Sequence, residues 1–265
     1  MLQPNNKSNF FSLLYPILKP KIWISLAYRA LIIDYQRTLL GPIWIFLSLV
    51  IFTLSMSVVY SGLLSVDYFD YLIFMSCSMI AWVWAGAFLS TSGMVYINNS
   101  NILLEHSVEK EYFIWTHATN NFLIFLHQLP LLFIYYAVGI LELSLNTLFI
   151  IPSVIIFFII NIGLSSCLSI IVVRFRDVQK ILASLVIIVM ITTPIFWKPE
   201  MLTGVRAYTY LLNPFYYIIE LIRSPLLGHP PSLKIYSISI FIAFFSITLG
   251  CWMNYKYGRS IIYRL

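Results

Sequence analysis

The sequence predicts an all-α integral membrane protein with six transmembrane helices, and three observations lead there. Six stretches carry no Asp, Glu, Lys or Arg: residues 38–66, 71–104, 112–141, 143–173, 181–197 and 235–255. Charged residues make up 10% of the chain and hydrophobic ones 60%, against about a quarter charged in soluble proteins. The basic residues crowd into alternate connections instead of spreading evenly. A bilayer core of about 30 Å takes roughly 20 helical residues, and five of the stretches reach that length. The stretch between Lys180 and Lys198 has 17 residues, so its flanking lysines must snorkel or the helix must stand close to the membrane normal.

This composition excludes a soluble enzyme. The 265 residues fit one transmembrane domain: 1–41 as a cytoplasmic and interfacial N-terminus, 42–255 as the six-span region and 256–265 as a cytoplasmic tail. Cys77, Cys167 and Cys251 all fall inside apolar stretches with no spacing for a metal site or disulfide set, and read as small packing residues.

Six spans put both termini on one side of the membrane. That side receives Lys7, Lys19, Lys21, Arg29, Arg37, Lys110, Arg174, Arg176, Lys180, Lys256, Arg259 and Arg264, which is twelve of the sixteen basic residues. Lys198, Arg206, Arg223 and Lys234 go to the other. The positive-inside rule therefore predicts cytoplasmic termini. The net charge of +6 lines a membrane boundary instead of forming one soluble basic face, so nucleic acid is not an expected partner.

Residues 1–22 carry Pro16 and Pro20 and lack a long apolar centre followed by a cleavage site, so no removable signal peptide is predicted. From Lys21 to Leu40 polar and apolar residues mix. On a helix Ser25, Arg29 and Gln36 share one face and Ile24, Ala27 and Leu31 the other, with Trp23 at headgroup level. This predicts an amphipathic interfacial helix, with a plain juxtamembrane tether as the alternative. Asp34 interrupts the apolar side. Gly41-Pro42 then predicts an elbow, Pro42 suiting the first turn of span one.

Residues 97–112 mix Glu105, His106, Glu109 and Lys110 with asparagines, which predicts either a short cytoplasmic helix between spans two and three or an ordinary solvated loop. Arg174, Arg176 and Asp177 form a second cytoplasmic group, readable equally as a positive-inside anchor. Segment 198–234 is apolar and aromatic in its middle but broken by Pro214, Pro225, Pro230 and Pro231, so it predicts re-entrant external helices between spans five and six. Glu220 and Arg223 stand three apart and can pair. Pro130, Pro152 and Pro194 are candidate kinks, and the Gly86/Ser90 and Ser165/Ser169 pairs permit close helix approach.

No catalytic constellation is visible. His117 and His127 are ten residues apart, about 280° around an ideal helix, and do not make a metal pair, and no span holds an acid able to relay protons. No Gly is followed by Lys, so a phosphate-cradling loop is absent. Neither a metal set nor a cofactor is expected in this chain.

Three motifs carry a family resemblance. Tyr35-Gln36-Arg37-Thr38-Leu39-Leu40-Gly41-Pro42-Ile43-Trp44, Arg174-Phe175-Arg176-Asp177-Val178, and Leu212-Asn213-Pro214-Phe215 with Glu220 and Arg223 resemble, in order and spacing, the permease subunits of type 2 ABC transporters that export polysaccharides. The likeness covers nearly the whole chain. Arg29-Ala30, Ile32 and Asp34 depart from the more basic pattern usual before the Tyr, which bears on contacts to lipid phosphate. The resemblance implies export of a polyprenyl-linked polysaccharide across the bacterial inner (cytoplasmic) membrane, O-antigen of lipopolysaccharide ahead of capsule or teichoic acid. It also implies a homodimer whose interface is the conduit, contacts with membrane lipids, and two separate ATP-binding subunits holding ATP and Mg.

On that basis Glu105, His106, Glu109, Lys110, Arg174, Arg176 and Asp177 are candidates for coupling to the ATPase. Trp23, Arg29, Tyr35 and Arg37 are candidates for the interface with lipid head groups, and Asn213, Pro214, Glu220 and Arg223 for an external gate. Sugars offer apolar C–H faces to aromatic rings, so Tyr60, Trp82, Trp84, Phe88, Phe196, Trp197, Tyr216 and Tyr217 are candidate channel residues, each equally suited to a membrane belt. The rival reading is a multispanning enzyme acting on lipid-linked glycans through Arg206, Glu220, Arg223 and His229. A secondary carrier ranks lower for want of intramembrane charge.

Overall fold

The computed structural model describes residues 9–105, 108–142 and 144–265, and these are helical with no strands among them. A 3-10 segment, Phe10–Leu18, leads into α1 (Pro20–Asp34). Then come α2 (Ile43–Leu64), α3 (Tyr68–Thr91), α4 (Val95–Asn98), α5 (Ser100–Glu105), α6 (Glu111–Gln128) and α7 (Pro130–Val138). The second half holds α8 (Ile150–Arg174), α9 (Val178–Thr192), α10 (Tyr208–Leu211), α11 (Pro214–Leu226) and α12 (Leu233–Tyr257).

Among the described residues five helical stretches are long and apolar enough to cross a membrane: Ile43–Leu64, Tyr68–Glu105, Glu111–Val138, Leu145–Arg174 and Leu233–Ser260. The sixth apolar stretch forms α9, which has only 15 residues. Its end is set by Pro194. The residue before a proline avoids the helical region, and Thr193 is extended at φ −88 and ψ 137. The other two prolines act differently. Pro130 starts a new helix after Gln128, whereas Pro152 sits in the first turn of α8, where its missing N–H costs nothing.

α3 is the centre of the bundle. It is hydrophobic on all sides, as a helix surrounded by others must be, and it is buried almost continuously from Tyr71 to Leu89. α2 packs against it through one stripe, Ile45, Leu49, Thr53 and Ser57, each four residues from the next. On α1 the buried stripe is Ala27 and Leu31 with Trp23 one turn earlier, its ring tilted against that of Trp115 of α6 with centroids 5.2 Å apart. Ile24, expected on that face, is exposed, because the i, i+4 row from Trp23 meets α6 instead. Between α1 and α2 the elbow uses left-handed backbone at Arg37 (φ 67) and Gly41 (φ 56); at the second, glycine adopts it without a Cβ clash.

α8 and α12 run side by side in the same direction, Tyr236 meeting Phe149 near their starts. Their closest point is Gly163 against Ser246 and Gly250. A Cβ on Gly163 would lie 2.4 Å from the Ser246 carbonyl carbon, and one on Gly250 would lie 2.8 Å from the Gly163 oxygen. This contact replaces one close approach expected from the sequence: Gly86 only faces the Trp82 ring of its own helix. The Ser165/Ser169 pair does serve close packing, Ser169 Oγ donating to the Ser92 carbonyl at 2.6 Å.

Gly163→Ala is expected to cost about 2–3 kcal/mol by overpacking, read as a lowered unfolding midpoint in detergent. Gly62→Ala, where a Cβ meets open space, is expected to stabilise α2 by about 1 kcal/mol.

Candidate transmission and gate sites

The first described segment, Phe10–Leu18, and the C-terminal residues lie at the end of the bundle where α6 begins and α12 finishes. Glu111 opens α6 and is 3% exposed. One of its oxygens accepts from Lys110 Nζ at 2.8 Å and from Asn254 Nδ2 at 2.7 Å. Asn254 Nδ2 also donates to Ser12 Oγ at 2.9 Å, and Trp115 Nε1 donates to the Leu13 carbonyl at 2.8 Å. A buried carboxylate needs such partners, since an unpaired one is costly. The result ties the N-terminal 3-10 segment, α6 and α12 together. Lys110 is therefore occupied in this knot, whereas Glu105, Glu109, Arg174, Arg176 and Asp177 are exposed. His106 lies outside the described residues.

The loop carrying Arg174 is bare of strong partners. Arg174 stands 5.2 Å from the Phe175 ring, and Asp177 lies 3.9 Å from Lys180 with both almost fully solvent-exposed. Exposed pairs of this kind contribute little. These charges remain available to another molecule.

Of the interfacial residues, Trp23 Nε1 donates to the Pro16 carbonyl at 2.8 Å, which orients α1 against the preceding segment. Arg29 and Arg37 are exposed. Tyr35 is half-buried and lines a recess of about 330 Å³ with Ile45, Ser48, Leu49, Phe52 and residues of α3 and α6. Burial, and then the neighbouring Asp34 carboxylate, raise its hydroxyl pKa.

At the opposite end, Asn213 caps α11. Its Oδ1 accepts from the Phe215 N–H at 2.9 Å, Pro214 takes the first helical position, and Nδ2 donates to Thr193 Oγ1 at 2.8 Å. Arg223, 2% exposed, points into the bundle. It pairs with Glu220, donates to Ser78 Oγ at 3.1 Å and to the Pro194 carbonyl, and lies over the Phe74 ring at 4.7 Å. Glu220 accepts in turn from Ser224 Oγ at 2.7 Å. All four predicted gate residues thus belong to α11 or its cap, and two of them bind the end of α9. Neither Ser78 nor the Pro194 carbonyl was predicted as a partner of Arg223; Pro194 stood out in the sequence only as a candidate kink.

The aromatic candidates separate into two groups. Trp82, Trp84 and Phe88 fill this chain's own core, Trp84 lying 4.7 Å from Phe125 and 4.3 Å from Phe157. Tyr60, Phe196, Trp197 and Tyr216 are partly exposed at the end near α11. Tyr60 stacks on Phe196 at 5.9 Å and on Tyr71 at 6.2 Å, and Tyr71 donates to the Phe196 carbonyl. Tyr210, absent from the prediction, bridges Trp197 at 5.9 Å and Tyr216 at 4.9 Å. Tyr217 is buried and donates to the Leu211 carbonyl at 2.8 Å. Burial and then the Glu220 carboxylate push the Tyr216 hydroxyl up to about 12. A recess of about 330 Å³ adjoins this row, lined by Ile191, Thr192, Trp197, Met201, Leu202 and Thr209.

His117 bonds to Thr91 and lies within reach of Asn121 and Ser165, while His127 bonds to the Leu123 carbonyl of its own helix. Both are packed and partnered. No group of three or more metal-ligating side chains occurs among the described residues. His229 and Arg206 do not join Arg223, which is sealed inside the bundle, so the described residues assemble no converging acid–base set at this end.

Arg223→Leu is expected to cost on the order of 3 kcal/mol, because it strands the Glu220 carboxylate. Adding Glu220→Gln should recover part of the loss, a non-additivity read from unfolding midpoints in detergent.

The profile of a family described as ABC-2 type transporter matches residues 22–227, more than half of the chain. No curated protein matches it at a significant level.

Proposed function

We propose a role from a premise that the profile match establishes: the chain belongs to the ABC-2 type transporter family and is a membrane subunit of an ABC transporter. In this role two copies face each other and form the conduit of an exporter for lipid-linked polysaccharide. O-antigen of lipopolysaccharide is the foremost cargo, on the strength of the three sequence motifs. The observation that carries the proposal is the state of α9. Its 15 residues span about 22 Å, short of a bilayer core of about 30 Å, and it buries only Leu182. Ile181, Ile187, Ile188 and Ile191 are each more than half exposed. A second copy covers such a helix better than lipid, which would have to thin around it.

The end where α6 begins and α12 finishes faces the cytoplasm of a bacterial inner membrane, as twelve of sixteen basic residues favour. Two ATP-binding subunits dock there on the exposed Glu105, Glu109, Arg174, Arg176 and Asp177, and they supply the ATP and Mg. At the other end Tyr60 with Phe196, and Trp197 with Tyr210 and Tyr216, offer ring faces that guide sugars without holding them tightly. Arg29, Tyr35 and Arg37 meet lipid head groups.

Co-expression with the ATP-binding subunit should give a stable complex, and charge reversal of Arg174 and Arg176 together should weaken it. Absence of any complex would refute the subunit reading. Trp197→Ala with Tyr216→Ala is expected to lower surface polysaccharide by about tenfold or more, roughly 1.4 kcal/mol, while complex yield holds. Unchanged surface polymer would sink the sugar track.

A further inference from the structure

α3 does not end freely. Its last turn bends through the 3-10 turn Ser92–Met94 into α4 and α5, and a bend leaves carbonyls without their helical N–H partners. Side chains from three helices hold it. Gln179 of α9 donates from Nε2 to the Ser90 carbonyl at 2.7 Å, and Ser169 of α8 donates to the Ser92 carbonyl at 2.6 Å. His117 of α6 bonds to Thr91 Oγ1 at 2.8 Å. The fit is tight: a Cβ on Gly93 would lie 2.4 Å from Gln179 Oε1 and 2.6 Å from Val172 Cγ2.

Gln179 is the second residue of α9, and the other end of α9 is held just as firmly. Thr193 Oγ1 accepts from Asn213, and the Pro194 carbonyl accepts from Arg223. Between these attachments Leu182 is the one fully buried residue. The helix is therefore fastened at both tips, about 22 Å apart, and lightly packed along its length. One tip grips the bend that leads to the exposed coupling segment. The other grips the cap of the aromatic external segment and its buried arginine.

We infer that α9 is a rigid rod transmitting movement of the Ser90–Gly93 bend to the α11 segment, with Gln179 as its positioning residue at one tip and Thr193 and Pro194 as the attachment at the other. The inference rests on the exporter reading, since an ATP-binding subunit is what would move the bend. A load applied at α4 and α5 reaches Gln179 through the Ser90 carbonyl, and α9 carries it because a hydrogen-bonded helix resists shortening. Asn213 and Arg223 then shift α11 with the tip. Contact alone is not coupling; coupling requires that breaking one tip silences the other.

Gln179→Glu tests this, because it keeps the side chain's shape and replaces the donor by an acceptor. The complete complex with its ATP-binding subunits is placed in lipid vesicles with Tyr208→Cys as an external reporter, labelled by a membrane-impermeant maleimide. The native Cys77, Cys167 and Cys251 are buried and leave the signal clean. In the unsubstituted rod, ATP should change the labelling rate at position 208. In Gln179→Glu, ATP hydrolysis should stay within about twofold while that change shrinks at least about fivefold, the lower edge of ordinary coupling. Thr193→Val should reproduce the loss from the other tip, and decides the matter should Gln179→Glu fail to assemble. Ser169→Ala, which touches the bend from α8, should keep the response. A Gln179→Glu or Thr193→Val complex that hydrolyses ATP with a full labelling response overturns the rod. Failure of the unsubstituted chain to hold an ATP-binding subunit overturns the exporter reading, and the rod with it.

Discussion

Inside a bilayer there is no water to take a hydrogen bond, so every carbonyl freed by a break in a helix must find a donor within the protein. The folded chain shows this constraint at several of its helix breaks. The Ser90 and Ser92 carbonyls receive Gln179 and Ser169, the Pro194 carbonyl receives Arg223, and the Phe196 carbonyl receives Tyr71. Near the N-terminus the Pro16 and Leu13 carbonyls receive Trp23 and Trp115. Each of these bonds joins one helical element or its flanking turn to another. The breaks are consequently the places where helices are fastened together, and the long uninterrupted stretches contribute mainly packing.

That division explains the mechanical character of the bundle. α3, buried on all sides, and the α8–α12 pair, pressed together at Gly163 and Gly250, form a stiff interior. α2 and α9 stand outside it, each touching the interior through a single stripe. A helix so placed can move as a unit while its tips stay attached.

Charge is sorted by the same logic. The two acids brought furthest into the bundle, Glu111 and Glu220, are paired with Lys110 and Arg223 and bonded further by Asn254 and Ser224, because an unpaired buried charge is costly. The Asp177–Lys180 pair is bathed in solvent and contributes little. Buried pairs therefore hold the chain together, whereas the exposed loop charges cost the fold nothing to lose and are free to meet a partner.

Much of this was legible in the sequence. The uncharged stretches marked the membrane helices, the prolines marked where helices end, and the Asn213-Pro214 cap with Glu220 and Arg223 three residues apart marked the segment at the far end. Such features are local, set by apolar length, proline geometry and helical spacing, and those operate within a few residues of each other. Whether an aromatic faced outward was not legible: Trp84 and Trp197 look alike in sequence, yet one is core and the other lines a recess. Nor could spacing show that Gln179 would reach Ser90, 89 residues away, or Arg223 reach Ser78 across 145. The sequence by itself determined the six apolar stretches and the proline positions at which helices start or end. Only the tertiary structure decided which broken end meets which donor, because that pairing depends on how whole helices lie against one another and on no property of the residues near either end.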